Sequence, residues 1–202
     1  NMVDHVIFSP RINLRYNPTE QINLRLNYAG GFRAPQTFDE DLHIALVGGE
    51  RVVTQLAPDL REERSNSLSA SIDLYRSFGS VETNLLVEGF YTALDHIFAT
   101  RYLPEPNEKG ETVLERYNGG GATVAGVNVE AKAAFSRWFD LQAGITWQRS
   151  RYEHVQHWSD DAPDERRMFR SPDWYGYLTA NFVPVRRFDI SLSGTYTGEM
   201  LV

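Results

Sequence analysis

Cysteine is absent from the 202 residues, so no disulfide framework, thiolate metal site or thiol nucleophile enters the reading. Long apolar runs are absent too. Mean hydropathy is -0.41, and no stretch approaches the roughly 20 consecutive apolar residues of a spanning helix. That excludes an α-helical membrane protein but leaves open a membrane barrel, whose alternating strands average to a polar composition. Positive charge is in deficit, with 27 Asp and Glu against 20 Lys and Arg and a net charge of -7. No basic run interleaved with aromatics occurs, and a nucleic-acid partner is set aside. Asn1-Met2-Val3-Asp4-His5 has no basic stretch leading into an apolar one, so no signal peptide is read there. Catalytic signatures are lacking as well: His5, His43, His96, His154 and His157 are dispersed, and there is no Gly-x-Ser-x-Gly elbow. No serine stands in a catalytic order with a histidine and an acid. The expectation is a protein that is not an enzyme and carries no cofactor.

What is present is alternation with a period of two, the mark of strands with one apolar and one polar face. Ile12, Leu14 and Tyr16 alternate with Arg11, Asn13 and Arg15, and Asn17-Pro18-Thr19-Glu20 follows as a turn. From Ile22 to Ala34 the even positions Ile22, Leu24, Leu26, Tyr28, Phe32 and Ala34 are apolar, against Asn23, Arg25, Asn27 and Arg33. Gly30 and Gly31 permit a bend or a close approach, and Pro35 ends the strand. The same pattern predicts strands near 65–75, 81–91, 123–135, 141–147, 174–182 and 188–196. All-β is therefore the expected class, with about eight long strands in an antiparallel up-and-down meander.

The connections alternate strictly. Short turns near Asn17, Ser77, Ser136 and Pro184 trade places with long stretches from Gln36 to Glu62, through Leu103–Gly110, and from Glu153 to Arg170. Loops of that length far exceed the usual four to six residues or so. Strands of about nine to eleven residues with short turns at one end and long loops at the other fit a transmembrane barrel. Tyr16, Tyr75, Phe135, Trp138, Phe139 and Phe188 gather near the turns, and Tyr28, Phe32, Trp147 and Trp174 near the opposite ends, as two aromatic belts would. A soluble β-sandwich also alternates and also favours aromatics at strand ends, so both architectures stay open on pattern alone.

Short motifs add a resemblance. Gly31-Phe32-Arg33-Ala34-Pro35 resembles a strand-end signature of TonB-dependent outer-membrane receptors, and Ser9–Tyr16 resembles the strand that precedes it. Leu60–Ser67 is similar to the family's Leu-x-x-Glu-x-Ser strand opening. Tyr117-Asn118-Gly119 and Gly126-Val127-Asn128-Val129-Glu130 are similar to its Asn-x-Gly and Gly-x-x-x-Glu strand, departing by the extra Gly120 and Gly121. The motifs follow in the family's order over nearly the whole chain.

The resemblance implies a large barrel of about 22 strands with a plugged lumen. Residues 1–202 would supply a C-terminal section of it, and the plug, the TonB-engaging segment and the closing strand are expected to lie outside this chain. It further implies Gram-negative outer-membrane localisation and active uptake of a ferric siderophore, with cobalamin or haem as variants. The implied partners are the TonB complex through the plug, the small-molecule ligand, the lipid bilayer and lipopolysaccharide. Arg25, Arg33, Glu82, Glu88, Glu130 and Lys132 would face the lumen and the plug, while Arg51, Arg101, Tyr102, His157 and Trp158 are the loop candidates for ligand capture. The run Glu153–Asp161 is the one metal-like cluster, and a solvated loop is the favoured reading of it. A passive porin or adhesin barrel and a soluble β-sandwich binding module are the alternatives.

Overall fold

The structure is a computed structural model and describes residues 6–35, 52–156, 164–185 and 187–201. Among these residues there are twelve strands and no helix. They are β1 (Arg11–Thr19), β2 (Ile22–Arg33), β3 (Val52–Leu56), β4 (Glu63–Phe78), β5 (Val81–Asp95) and β6 (Phe98–Tyr102). The remainder are β7 (Thr112–Asn118), β8 (Ala122–Phe135), β9 (Phe139–Gln156), β10 (Glu165–Arg167), β11 (Trp174–Val185) and β12 (Phe188–Thr197). The main sheet runs β1-β2-β4-β5-β8-β9-β11-β12, with β10 attached to β9. All its pairings are antiparallel. This is the eight-strand meander that the alternation leads one to expect.

Two details differ from the sequence reading. β1 continues to Thr19, so the first reversal falls on Glu20-Gln21, and Pro18 sits in a register shift between Tyr16 and Thr19. A proline donates no ladder hydrogen bond, and a bulge accommodates it. The long connections are also partly built. β3, β6 and β7 form a separate three-stranded sheet at the loop end, β3 parallel and β6 antiparallel to β7, and β10 folds back on β9. These strands are three to seven residues long, too short for a period of two to stand out.

Register fixes which side chains share a face. Tyr16↔Leu24, Leu24↔Ile72, Ile72↔Val87, Val87↔Val129 and Val129↔Ile145 make one continuous apolar row. That apolar face stays open, with Leu14 58%, Ile145 48%, Leu178 51% and Leu192 72% exposed. The buried residues include Asn23, Asp73, Thr146 and Ser150, all on the opposite, polar face. A β-sandwich does the reverse, because taking each large apolar side chain out of water gains about 1.5–3 kcal/mol. Among the described residues no second layer covers the apolar face, which fits apolar surroundings.

The aromatic rows reinforce this. Tyr28 and Tyr91 are both opposite Leu68 in one row, whereas Trp147 and Trp174 pair one row nearer the short turns. Tyr196 pairs with Gly176 one row lower again. Strands inclined to a common plane must slip in this way if their aromatics are to lie at one depth. Phe135, Trp138, Phe139 and Phe182 cluster at the turn end, with Phe135–Phe139 centroids 5.5 Å apart and Trp138 edge-on to Phe182 at 5.7 Å. Tyr75 does not join that belt: it shares the polar face with Asp73, to which its hydroxyl donates at 2.8 Å.

Candidate functional site: the polar face and the loop-side rim

The polar face is a hydrogen-bonded ladder that crosses from strand to strand. Asn27 Nδ2 donates to Ser69 Oγ at 3.2 Å, and Ser67 and Thr92 hydroxyls meet at 2.9 Å. Asn84 donates to Asp73. Thr146 donates to Asn128 at 3.0 Å, Asn128 to Glu130 at 3.1 Å, and Gln142 to the Tyr177 hydroxyl at 2.6 Å. Asn181 joins Asp140 at 2.9 Å and Ser191 at 2.7 Å. Such cross-strand pairs hold the wall rigid while leaving spare donors and acceptors for whatever faces it.

Register puts Arg25, Arg33, Glu82, Glu88, Glu130 and Lys132 on this face. Arg25 donates to Asn23 at 3.1 Å. Glu88 and Glu130 converge on a depression of about 320 Å³, floored by Asn128 and Thr146 and walled by Phe90 and Tyr177. Alternation places Tyr177 on this face, away from Leu178 and Ala180, but does not mark Phe90 there. The further signal was glycine inside a strand. A Cβ on Gly126 would come within 2.7 Å of the Phe90 ring, and one on Gly144 within 2.4 Å of the Tyr177 ring. Each aromatic stands directly opposite a glycine of the neighbouring strand and reaches over it.

The rim is built differently. Asn118, at the end of β7, accepts from Arg61 N at 2.8 Å and donates to the carbonyls of Arg61 at 3.0 Å and His96 at 2.7 Å. One side chain thereby ties the small sheet to two strand ends. Arg33 pairs with Glu63 at 3.6 Å, and both Arg33 and Arg116 set their guanidinium carbons over the Phe98 ring, at 5.6 and 4.8 Å. Arg101 is held by Glu115 at 2.6 Å and lies 4.6 Å over the Tyr117 ring, and Tyr102 beside it is 67% exposed. Arg51, His157 and Trp158 lie outside the described residues, as does the greater part of the Glu153–Asp161 run. At β10, backbone N–H groups of Arg167 and Arg166 donate to the Glu165 carboxylate at 3.1 and 2.8 Å and hold its pKa below the ordinary carboxyl range.

Comparison with known proteins adds three findings. The family model described as TonB dependent receptor-like, beta-barrel matches residues 3–201. Curated proteins give no match. Among solved structures, the FrpB iron transporter from Neisseria meningitidis is similar at 15% identity and a TM-score of 0.64, over 94% of this chain and 26% of that one. The siderophore receptor PirA from Pseudomonas aeruginosa is similar at 14% identity and a TM-score of 0.65, over 93% of this chain and 34% of that one. The copper transporter OprC is similar at 10% identity and a TM-score of 0.52, over 86% of this chain and 24% of that one. The chain thus spans between about a quarter and a third of the length of these structures.

Proposed function

This chain belongs to the TonB-dependent receptor-like β-barrel family, and on that premise we propose that it forms part of the barrel wall of a transporter for a ferric siderophore. It is an outer-membrane protein of a Gram-negative bacterium. The observation that carries the proposal is the inverted sheet: apolar side chains open outward and polar ones pack together on the other side. In a plugged barrel the polar face lines the lumen, and Arg25, Arg33, Glu82, Glu88, Glu130 and Lys132 meet the plug there. Arg101 and Tyr102 at the rim, together with Arg51, His157 and Trp158, contact the ligand. A pull on the plug through TonB then opens a path along this wall.

β1 and β12 each have an outer edge unpaired among the described residues, and further strands of the whole protein complete the barrel. The iron and siderophore proteins among the similar structures favour iron as cargo, with cobalamin or haem as variants of the same mechanism. The test is uptake of radiolabelled ferric siderophores by the source cells, with the gene intact, deleted, or intact in a strain without TonB. Uptake that disappears in both altered strains is the expected result. Uptake lost with the gene but indifferent to TonB overturns active transport and leaves a passive barrel.

A further inference from the structure

The charges of the polar face are sorted by strand. On β1 and β2 that face carries Arg11, Arg15, Arg25 and Arg33 and no acid. On β5, β8 and β9 it carries Glu82, Glu88, Glu130 and Asp140 against Lys132 alone. Between the two fields β4 sets an uncharged strip of Ser65, Ser67, Ser69 and Ser71. A wall that needed only to be wetted would do with such serines, or with Asn13 and Asn27, which share the face with the arginines. Hydration alone does not account for the sorting.

Arg15 and Arg25 stand directly opposite one another across the ladder, a placement in which like charges repel. Each is tied through Nε to a neutral acceptor on the side of the turn, Arg15 to Asn17 Oδ1 at 3.3 Å and Arg25 to Asn23 Oδ1 at 3.1 Å. Neither of them, nor Arg11, makes an ion pair among the described residues. Asp73, across from Asn23, is engaged by the Tyr75 hydroxyl and by Asn84. The Nη groups of two facing forks are thereby left to hold an oxyanion. The cations also repeat with depth. Arg33 is at the rim, Arg11 is level with Ala29, and Arg15 is level with Arg25, in steps of four residues or about 13 Å. An anion on this side is never more than about 7 Å in depth from a cation, inside the Debye length of about 8 Å.

We propose that β1 and β2 form the lane by which an anionic cargo crosses the lumen, with the Arg15–Arg25 pair as its seat nearest the turn end. Once the plug is displaced, carboxylate or other oxyanion groups of the cargo pass from Arg33 to the level of Arg11 and then to the pair. The acids of β5, β8 and β9 keep the cargo from the other side of the wall. A single fixed contact would need one cation, whereas a column of them from rim to turn end suits a group that moves.

The inference rests on the reading of the polar face as the lumen of a siderophore transporter, and its test separates the two. Culture supernatant of iron-starved source cells is loaded with radioactive iron and split on an anion exchanger. Each fraction is offered to cells with the gene intact, deleted or altered, with and without TonB. Surface binding is read in the cells without TonB, and outer membranes are run on gels with and without boiling. Gene-dependent import should draw on the retained, anionic fraction at least tenfold faster than on the unretained one. Arg15→Gln with Arg25→Gln should lower that import at least tenfold and leave surface binding within about twofold. Arg15→Lys with Arg25→Lys should keep import within about threefold, because a lane needs the charge more than the fork. All variants should keep the boiling-dependent mobility of a folded barrel. Equal import by wild type and the double glutamine variant, or gene-dependent import from the unretained fraction, overturns the lane alone. So does a double glutamine variant that loses surface binding or its heat-modifiable band together with import, since the arginines then serve the loops or the fold. No TonB-dependent import from either fraction overturns the siderophore-transporter reading beneath it.

Discussion

Leu178 and Thr179 are adjacent on β11 and face opposite ways, which makes them a paired test of what surrounds the sheet. Leu178 lies midway between the belt residues Trp174 and Phe182, faces outward beside Ala143 and Gly194, and is 51% exposed. Thr179 points to the polar face between Gln142 and Ser193. If the apolar face borders lipid, Leu178→Arg places a guanidinium near the bilayer midplane, which in barrels costs about 2–4 kcal/mol. Thr179→Arg enters a hydrated, hydrogen-bonding wall and should shift stability by no more than about 0.5 kcal/mol. Converted at about 1.4 kcal/mol per tenfold, a gap of about 1.5–4 kcal/mol is a factor on the order of 10–700 in the folding equilibrium. The measurement is guanidinium titration of the whole receptor in lipid vesicles, followed by tryptophan fluorescence and by the mobility change on boiling. A water-facing apolar surface predicts something else: replacing a half-exposed leucine by arginine would cost almost nothing. Equal costs for the two variants would therefore refute the assignment of faces, whatever the family.

Gly144→Val should destabilise the barrel by about 1–3 kcal/mol in the same titration, because the new side chain falls on the Tyr177 ring, whose hydroxyl is held by Gln142 and which must swing aside. Adding Tyr177→Ala should recover part of that loss, and a fully additive double variant would show that the ring is not the obstacle. Glu165 supplies a pH signature. Its folded pKa lies below its ordinary value near 4.5, so its contribution is complete above that value and is lost as pH falls through the depressed one. Hydrogen exchange of the Arg166 and Arg167 amides should accelerate in that acid window beyond the intrinsic pH effect, and Glu165→Gln should abolish the extra acceleration.

The meander was legible because the long strands keep a period of two, and register then turned that period into faces. Val81, Leu85, Val87 and Tyr91 do share the outward face of β5. The alternation did not reveal Leu86 and Phe90 on the polar side, since apolar residues there blur the pattern rather than mark it. Gly126 was the usable clue, for a glycine inside a strand often marks the close approach of something large. The rim sheet was illegible for another reason: β3 and β6 are five residues each, and their partner β7 lies more than ten residues away from either β3 or the start of β6. Arg101 is instructive too. Composition marks it only as a cation, whereas register sets it directly opposite Glu115, which holds it in place at the rim. Only pairing across the strand exposes such a partner.

The choice between sandwich and barrel could not be made from alternation, because both architectures require one apolar face per strand. Depth along the strand decides it. β9 has 18 residues, about 60 Å at the usual rise, yet its unbroken run of outward apolar positions stops at Trp147, and Val155 stands apart near the loop end. Phe139 through Trp147 is nine residues, the length that crosses a bilayer, and the next three outward side chains are the charged Arg149, Arg151 and Glu153. On β9 parity therefore selects lipid or lumen, and position selects hydrocarbon, interface or rim. A one-residue slip of β9 would exchange the two sets, turning Gln142, Thr146 and Gln148 toward hydrocarbon and Ile145 and Trp147 into the polar ladder. Every polar group so exposed would cost on the order of 1–3 kcal/mol, which is why a strand with weak local turn signals still holds a single register.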